Sequence, residues 1–139
     1  MLENKLLCIS NKLRLQFYKR MFGVIHERDG SLSAMEAFAV DVIHGLDRPT
    51  VSEFADFIGI SRPGASYKVA SLIEKGYITK EISEEDKREY RLVLTDKYYN
   101  YIKMYEDSFK ASVLEAEEGC SPEQLDSISS VLDKMDTAL

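Results

Sequence analysis

A short stretch near the middle of the chain collects side chains that can bind anions and hydrogen-bond to nucleotide bases. Arg62 and Lys68 are cationic, and Ser66 and Tyr67 between them carry hydroxyl groups. Arginine and lysine bind phosphates or the acceptor atoms of guanine, while hydroxyl groups bond to phosphate or touch thymine methyls. The stretch therefore favours nucleic-acid recognition over the alternative, an ordinary solvated helix face.

A second charged group, Asp86-Lys87-Arg88, follows farther along the chain. An arginine at the tip of a hairpin can enter the minor groove of DNA, where negative potential is concentrated. A carboxylate two residues earlier can pair with that arginine and fix its direction. Lys87 would add a phosphate contact. The alternative is an ordinary charged loop.

The first group lies on a predicted helix that begins at Ser61, whose hydroxyl can accept a bond from a first-turn amide. Gly76 ends this helix, as glycine commonly does. Gly64 offers no side chain and weakens the helix by about 1 kcal/mol relative to alanine. It indicates either a close backbone approach or a thinner set of base contacts. The predicted DNA-contacting residues of the helix are Ser61, Arg62, Gly64, Ser66, Tyr67 and Lys68.

The neighbouring segments predict the rest of a winged helix-turn-helix. TVSEFADFIG reads as a short helix capped by Thr50 or Ser52 and closed by Gly59, and two such helices around a glycine corner make a helix-turn-helix. YITKEI and YRLVLT are rich in strand-forming residues and flank the polar loop SEEDKRE, which predicts a hairpin. A brief strand at 49–51 is expected to pair with it. The predicted fold class is mainly α with a small β-hairpin wing.

Long amphipathic helices are predicted at both ends of the chain. Residues 3–27 have apolar side chains at helical spacing, followed by the polar break HERDGS. Residues 96–119 form a second such helix, and Ser121 begins a last one with Gln124 as its capping partner. Ser33 and Glu36 predict the same capping arrangement at the start of the helix that follows HERDGS.

In this order, the segments resemble the MarR (multiple antibiotic resistance regulator) family of bacterial transcription factors. The matching pieces are LSAMEAFAVDVIHGL, VSEFADFIGIS, LIEKGYI, EEDKR with its Asp-x-Arg, and LVLT. The resemblance implies a single domain over 1–139, with a winged helix-turn-helix at 32–95 and dimerisation helices in 1–30 and 96–139. It assigns Arg88 to the minor groove, with Asp86 orienting it.

The resemblance also implies partners. It predicts a homodimer that binds a pseudo-palindromic operator in double-stranded DNA, acts as a repressor, and releases DNA when an unknown small molecule binds. The residues assigned to the dimer contact are apolar members of the end helices: Leu6, Ile9, Leu13, Phe109, Val113, Leu125, Ile128 and Leu132.

Two alternatives remain open. One branch of the family senses organic hydroperoxides through a cysteine near the start of its first helix, and Cys8 lies in that region. A buried structural cysteine is the commoner case. The second alternative is an interaction module that has kept the winged fold and lost DNA binding; its support is the net charge of −6, the acidic residues around the wing and Gly64.

Composition and motifs also limit the functions that this protein could have. Cys8, Cys120 and the two histidines have no zinc-site spacing, no phosphate-binding glycine loop is present, and no motif pairs a nucleophile with a base, so we predict no enzyme activity and no cofactor. No apolar run could span a bilayer and the N-terminus lacks signal-peptide features, so we expect a cytoplasmic protein without a membrane partner. Residues 61–91 hold seven basic and six acidic side chains, which predicts modest non-specific affinity for DNA.

Overall fold

The structure, a computed structural model, describes residues 1–25 and 32–139. Within these ranges, six helices and one hairpin follow in order. They are α1 (Leu2–Ile25), α2 (Ala34–Leu46), α3 (Val51–Ile58), α4 (Arg62–Glu74), β1 (Ile78–Ile82), β2 (Tyr90–Leu94), α5 (Asp96–Glu117) and α6 (Pro122–Ala138). This confirms the predicted mainly α fold with a hairpin wing. The predicted break at 26–31 lies outside the described residues.

The chain forms two compact units, Met1–Tyr99 and Asn100–Leu139, whose boundary falls within α5. The first unit holds the helix-turn-helix and the wing. None of the helices in the described part of the chain is long and apolar enough to cross a membrane.

Reciprocal caps begin three of the helices. The Ser33 hydroxyl accepts a hydrogen bond from the Glu36 amide at 3.2 Å, and the Glu36 carboxylate accepts one from the Ser33 amide at 2.7 Å. Thr50 and Ser121 make the same arrangement at α3 and α6. These bonds satisfy backbone amides that have no partner within the helix. Of the two predicted caps of α3, the structure therefore selects Thr50.

The corner between α3 and α4 is made by Gly59 and Ser61. Gly59 has a φ of 71°, a left-handed conformation that glycine adopts without the steric cost of a Cβ. Ser61 then begins α4, with its hydroxyl accepting a hydrogen bond from the Gly64 amide at 3.2 Å. The predicted turn and its cap are both present.

The two helices of the helix-turn-helix lie against each other, and the side chains buried on them are small or apolar. Phe54 and Ala55 of α3 and Ala65, Val69 and Leu72 of α4 are all buried. Alanine at the contact allows two helix axes to approach more closely than larger side chains would. The opposite face of α4 is left for solvent.

The wing is an antiparallel pair that runs from Ile78 opposite Leu94 to Ile82 opposite Tyr90. The Leu92 amide donates to the Pro49 carbonyl at 2.8 Å. The adjacent residues, Thr50 and Arg91, form a single antiparallel bridge. The brief strand predicted at 49–51 is thus present as one bridge. It connects the wing to the start of α3.

Glu36 has a second role besides capping, because it joins α2 to α4. Its carboxylate accepts hydrogen bonds from the Lys75 Nζ at 2.6 Å and the Ser71 hydroxyl at 2.5 Å. Burial raises the pKa of Glu36, but the bonds from Lys75, Ser71 and Ser33 outweigh it and lower the pKa from 4.5 to about 2. The ionised carboxylate therefore stabilises the folded unit.

Asp41 connects α1, α2 and the start of α5 within the first unit. The Arg20 Nη2 lies 2.6 Å from one of its oxygens, and the Tyr98 hydroxyl donates to the other at 2.6 Å. Both members of the ion pair are largely buried, so this contact is shielded from solvent.

We predict that Glu36→Gln lowers the free energy of unfolding by about 2 kcal/mol at neutral pH, because hydrogen bonds to a buried charge are lost. Because the folded pKa is depressed, the carboxylate's contribution is present above pH 4.5 and disappears as the pH falls toward 2. Urea denaturation across this range should show the difference between the two proteins shrinking in acid. Glu74→Gln, the same change on the exposed face of α4, is the control. An equal difference at every pH would contradict the assignment.

Candidate nucleic-acid interface

The first two turns of α4, residues 62–68, present their polar side chains to solvent. Tyr67 is 80% exposed and the Arg62 side chain is 72% exposed. Ser66 is exposed as well, whereas Lys68 is half-buried. We call residues 62–68 the α4 front. Most of its polar side chains are therefore accessible to a binding partner.

Ser61 and Gly64 belong to the cap of α4 as well as to the predicted contact set. A Cβ placed on Gly64 would lie 3.2 Å from the Ser61 Oγ, so the hydroxyl would have to shift to accommodate it. The Ser61 hydroxyl already accepts one hydrogen bond and keeps its own proton for another partner. The glycine therefore reflects a tight cap within the protein.

Arg88 lies at the wing tip with 91% of its side chain exposed. Its Nε lies 3.3 Å from one oxygen of Asp86, and its backbone amide donates to the same oxygen at 3.0 Å. The predicted pairing of these two residues is present. Lys87 between them is exposed. The tip thus offers two cations, one of which is oriented by a carboxylate.

A contact that sequence reasoning missed joins the wing to the α4 front. The Arg62 Nη2 lies 3.6 Å from the Glu89 Oε1, and the Ser52 hydroxyl donates to the same oxygen at 3.0 Å. These atoms come from α4, the wing and α3. The pattern of residues gave no signal for it, since the partners are far apart in sequence. The contact places the wing directly beside the helix that carries the predicted binding residues.

Part of the positive charge counted for this region is used inside the protein. Arg91 bonds to the Arg48 carbonyl at 3.2 Å and lies within 3.4 Å of Glu53 and 3.2 Å of Glu85. Lys75 is paired with Glu36. These two cations join the wing and α4 to neighbouring elements, whereas the side chains of Arg62 and Arg88 are 72% and 91% exposed.

The residues predicted for a dimer contact are largely solvent-facing. Ile9 on α1 is 51% exposed, while its helix mates Leu6 and Leu13 are half-buried. In the second unit, Ile128 and Leu132 are each 49% exposed. Phe109 and Val113 are also exposed, whereas Leu125 is half-buried. Most of these apolar side chains are therefore exposed to solvent.

Cys8 is exposed on α1, which differs from the buried position expected of a structural cysteine. Its role as a thiol sensor stays a prediction. In the described ranges, histidine, cysteine and carboxylate side chains form no group that could hold a metal ion.

Comparison with known protein families gives a match to part of the chain. The model of the MarR family matches residues 25–89. Curated proteins give no significant match to the chain.

Solved structures share the fold over nearly the whole chain. A mutant MepR from a multidrug-resistant S. aureus clinical isolate is 14% identical, with a TM-score of 0.64 over 99% of this chain and 96% of that chain. A MarR family protein from Bacillus stearothermophilus is 15% identical, with a TM-score of 0.59 over 99% and 91%. Streptococcus pneumoniae FabT, solved in complex with DNA, is 20% identical, with a TM-score of 0.56 over 99% and 96%. The chain therefore shares its fold with these structures, and its residues 25–89 match the model of the MarR family.

Proposed function

We propose that the chain is a DNA-binding transcriptional regulator that acts as a homodimer. The observation that carries the proposal is the contact of Arg62 with Glu89, which sets the wing beside the α4 front. Two elements with exposed cations are thereby offered together. FabT, which has the same fold, was solved in complex with DNA.

In this proposal, the α4 front enters a major groove and Arg88 enters the adjacent minor groove. Arg62 and Lys68 contact phosphates or guanine edges, and Tyr67 touches base methyls or phosphate. A two-fold dimer would read half-sites about one helical turn apart, ~10 bp from centre to centre. The regulator would act as a repressor by occupying an operator near its own gene.

We predict that Arg88→Ala weakens binding to the upstream DNA of its own gene by ~10-fold, because the minor-groove contact is lost. Fluorescence anisotropy at fixed salt measures the affinity. Lys103→Ala removes the same charge from an exposed site on α5 and serves as the control. Equal affinities for Arg88→Ala and the control would contradict the wing's role. If the native protein bound no duplex even at low salt, the interaction-module alternative would be favoured. The highly exposed Glu85 on the wing also supports that alternative.

The homodimer is supported by the apolar stripe of α6. No α6 side chain is buried in the part of the chain that the structure describes, although Leu125, Ile128 and Leu132 recur at helical spacing. An amphipathic helix gains most of its stability by packing its apolar face. A second copy of the chain, carrying the same stripe, would supply that surface in a two-fold contact.

We predict that the protein sediments as a dimer and that Ile128→Asp converts it to a monomer, because the contact would then bury an unpaired charge. Ser130→Asp adds the same charge on the opposite face of α6 and should leave the dimer intact. Analytical ultracentrifugation distinguishes the species. A dimer that persists in Ile128→Asp would place the contact elsewhere.

Release by a small molecule is the regulatory part of the proposal. A mainly apolar cleft of about 380 Å³ lies between α1, α2 and α3. Its walls include Phe17, Phe38 and Phe57, and Gly45 forms part of its surface. The volume and aromatic lining suit a small aromatic compound. Since α3 packs against α4, a ligand here could favour one placement of the recognition helix over another.

We predict that indole binds this cleft and that its binding changes the fluorescence emission spectrum of indole. This change is measurable because the protein contains no tryptophan. Gly45→Leu should abolish the change by filling the cleft, since a Cβ at that position meets nothing within 4 Å. Gly45→Ala leaves most of the volume open and is the control. An unchanged indole titration in Gly45→Leu would exclude this cleft as the effector site.

A further inference from the structure

Glu89 is fixed more firmly than the arginine it contacts. Its amide donates to the Asp86 carbonyl at 2.9 Å, and its carbonyl accepts from the Ser83 amide at 3.0 Å. Its carboxylate accepts from the Ser52 hydroxyl at 3.0 Å. Only 33% of the Glu89 side chain is exposed, compared with 72% for Arg62.

Arg62 and Arg88 are therefore paired in different ways. The Asp86 carboxylate lies on the same loop as Arg88 and two residues from it, so the two travel together. Glu89 approaches Arg62 from another element and is anchored to a third, α3. A DNA phosphate that binds Arg62 must compete with a carboxylate that is already in place.

Resting on the proposed DNA-binding function, we propose that Glu89 is a specificity-determining positioning residue. It holds Arg62 by charge and keeps that arginine from neutralising phosphates of arbitrary sequence. At a correct site, a guanine edge offers Arg62 a bidentate contact in addition to the phosphates that any duplex presents, so such a site can draw the arginine away from Glu89. Glu89 thus lowers non-specific affinity more than specific affinity.

The test compares Glu89→Gln with Glu84→Gln on a random-sequence duplex. Both changes remove one negative charge from the wing loop, but Glu84 makes no contact with Arg62 among the described residues, and the glutamine amide retains an oxygen for the Ser52 hydroxyl. Glu89→Gln should bind the duplex ~3- to 10-fold more tightly than Glu84→Gln at low salt. Its slope of log affinity against log salt should be steeper by about 1, because one more phosphate is neutralised.

The same pair of changes in an Arg62→Ala background isolates the mechanism. In that background, the Glu89→Gln and Glu84→Gln variants should bind the duplex equally, because the arginine that Glu89→Gln is meant to release is absent. Ser52→Ala, which loosens the anchor but keeps the charge, should show part of the Glu89→Gln effect. Thermal denaturation confirms that each variant is folded.

The outcomes separate this inference from the proposed function. If the native protein binds no duplex at any salt concentration, the proposed function fails. If it binds, but the two glutamine variants have the same affinity and slope, Glu89 has no such role. An effect of Glu89→Gln that persists without Arg62 would also overturn the inference.

Discussion

Close packing of α3 against α4 is the constraint on which the proposed binding surface depends. These helices lie against each other, and Ala55 and Phe54 of α3 and Ala65 and Val69 of α4 are all buried. Methyl side chains at such a contact allow a short inter-helix distance, and the left-handed Gly59 reverses the chain at the corner. Because one face of α4 is committed to this contact, its polar face can only point outward.

Some ion pairs in this protein join the elements of the first unit, and others lie at the proposed binding surface. Lys75 with Glu36 joins α2 to α4, and Arg91 with Glu53 joins the wing to α3. Counting charges along the sequence treats all of these cations as equivalent. In the structure, Lys75 and Arg91 are paired with carboxylates of other elements, whereas the side chain of Arg88 is 91% exposed beside Asp86.

The wing is held to the helices from more than one side. A two-stranded hairpin alone is at best marginally stable in water. Here Leu92 bonds to Pro49 beside the start of α3, and Glu89 contacts both Ser52 and Arg62. These contacts place the wing relative to α4, so the spacing between the helix and the wing tip is a property of the folded unit.

Sequence alone determined the features whose causes lie within a few residues. The caps at Ser33 and Ser61, the corner at Gly59 and the pairing of Asp86 with Arg88 all follow from local chemistry, and each is present. The fold class followed from their order, whereas the roles of the predicted DNA and dimer residues stay predictions. Only the tertiary structure decided that Glu89 meets Arg62 and that Cys8 and most of the α6 stripe face solvent. Such contacts depend on how separate elements pack, and helical or strand spacing specifies which face is apolar without specifying what that face will meet.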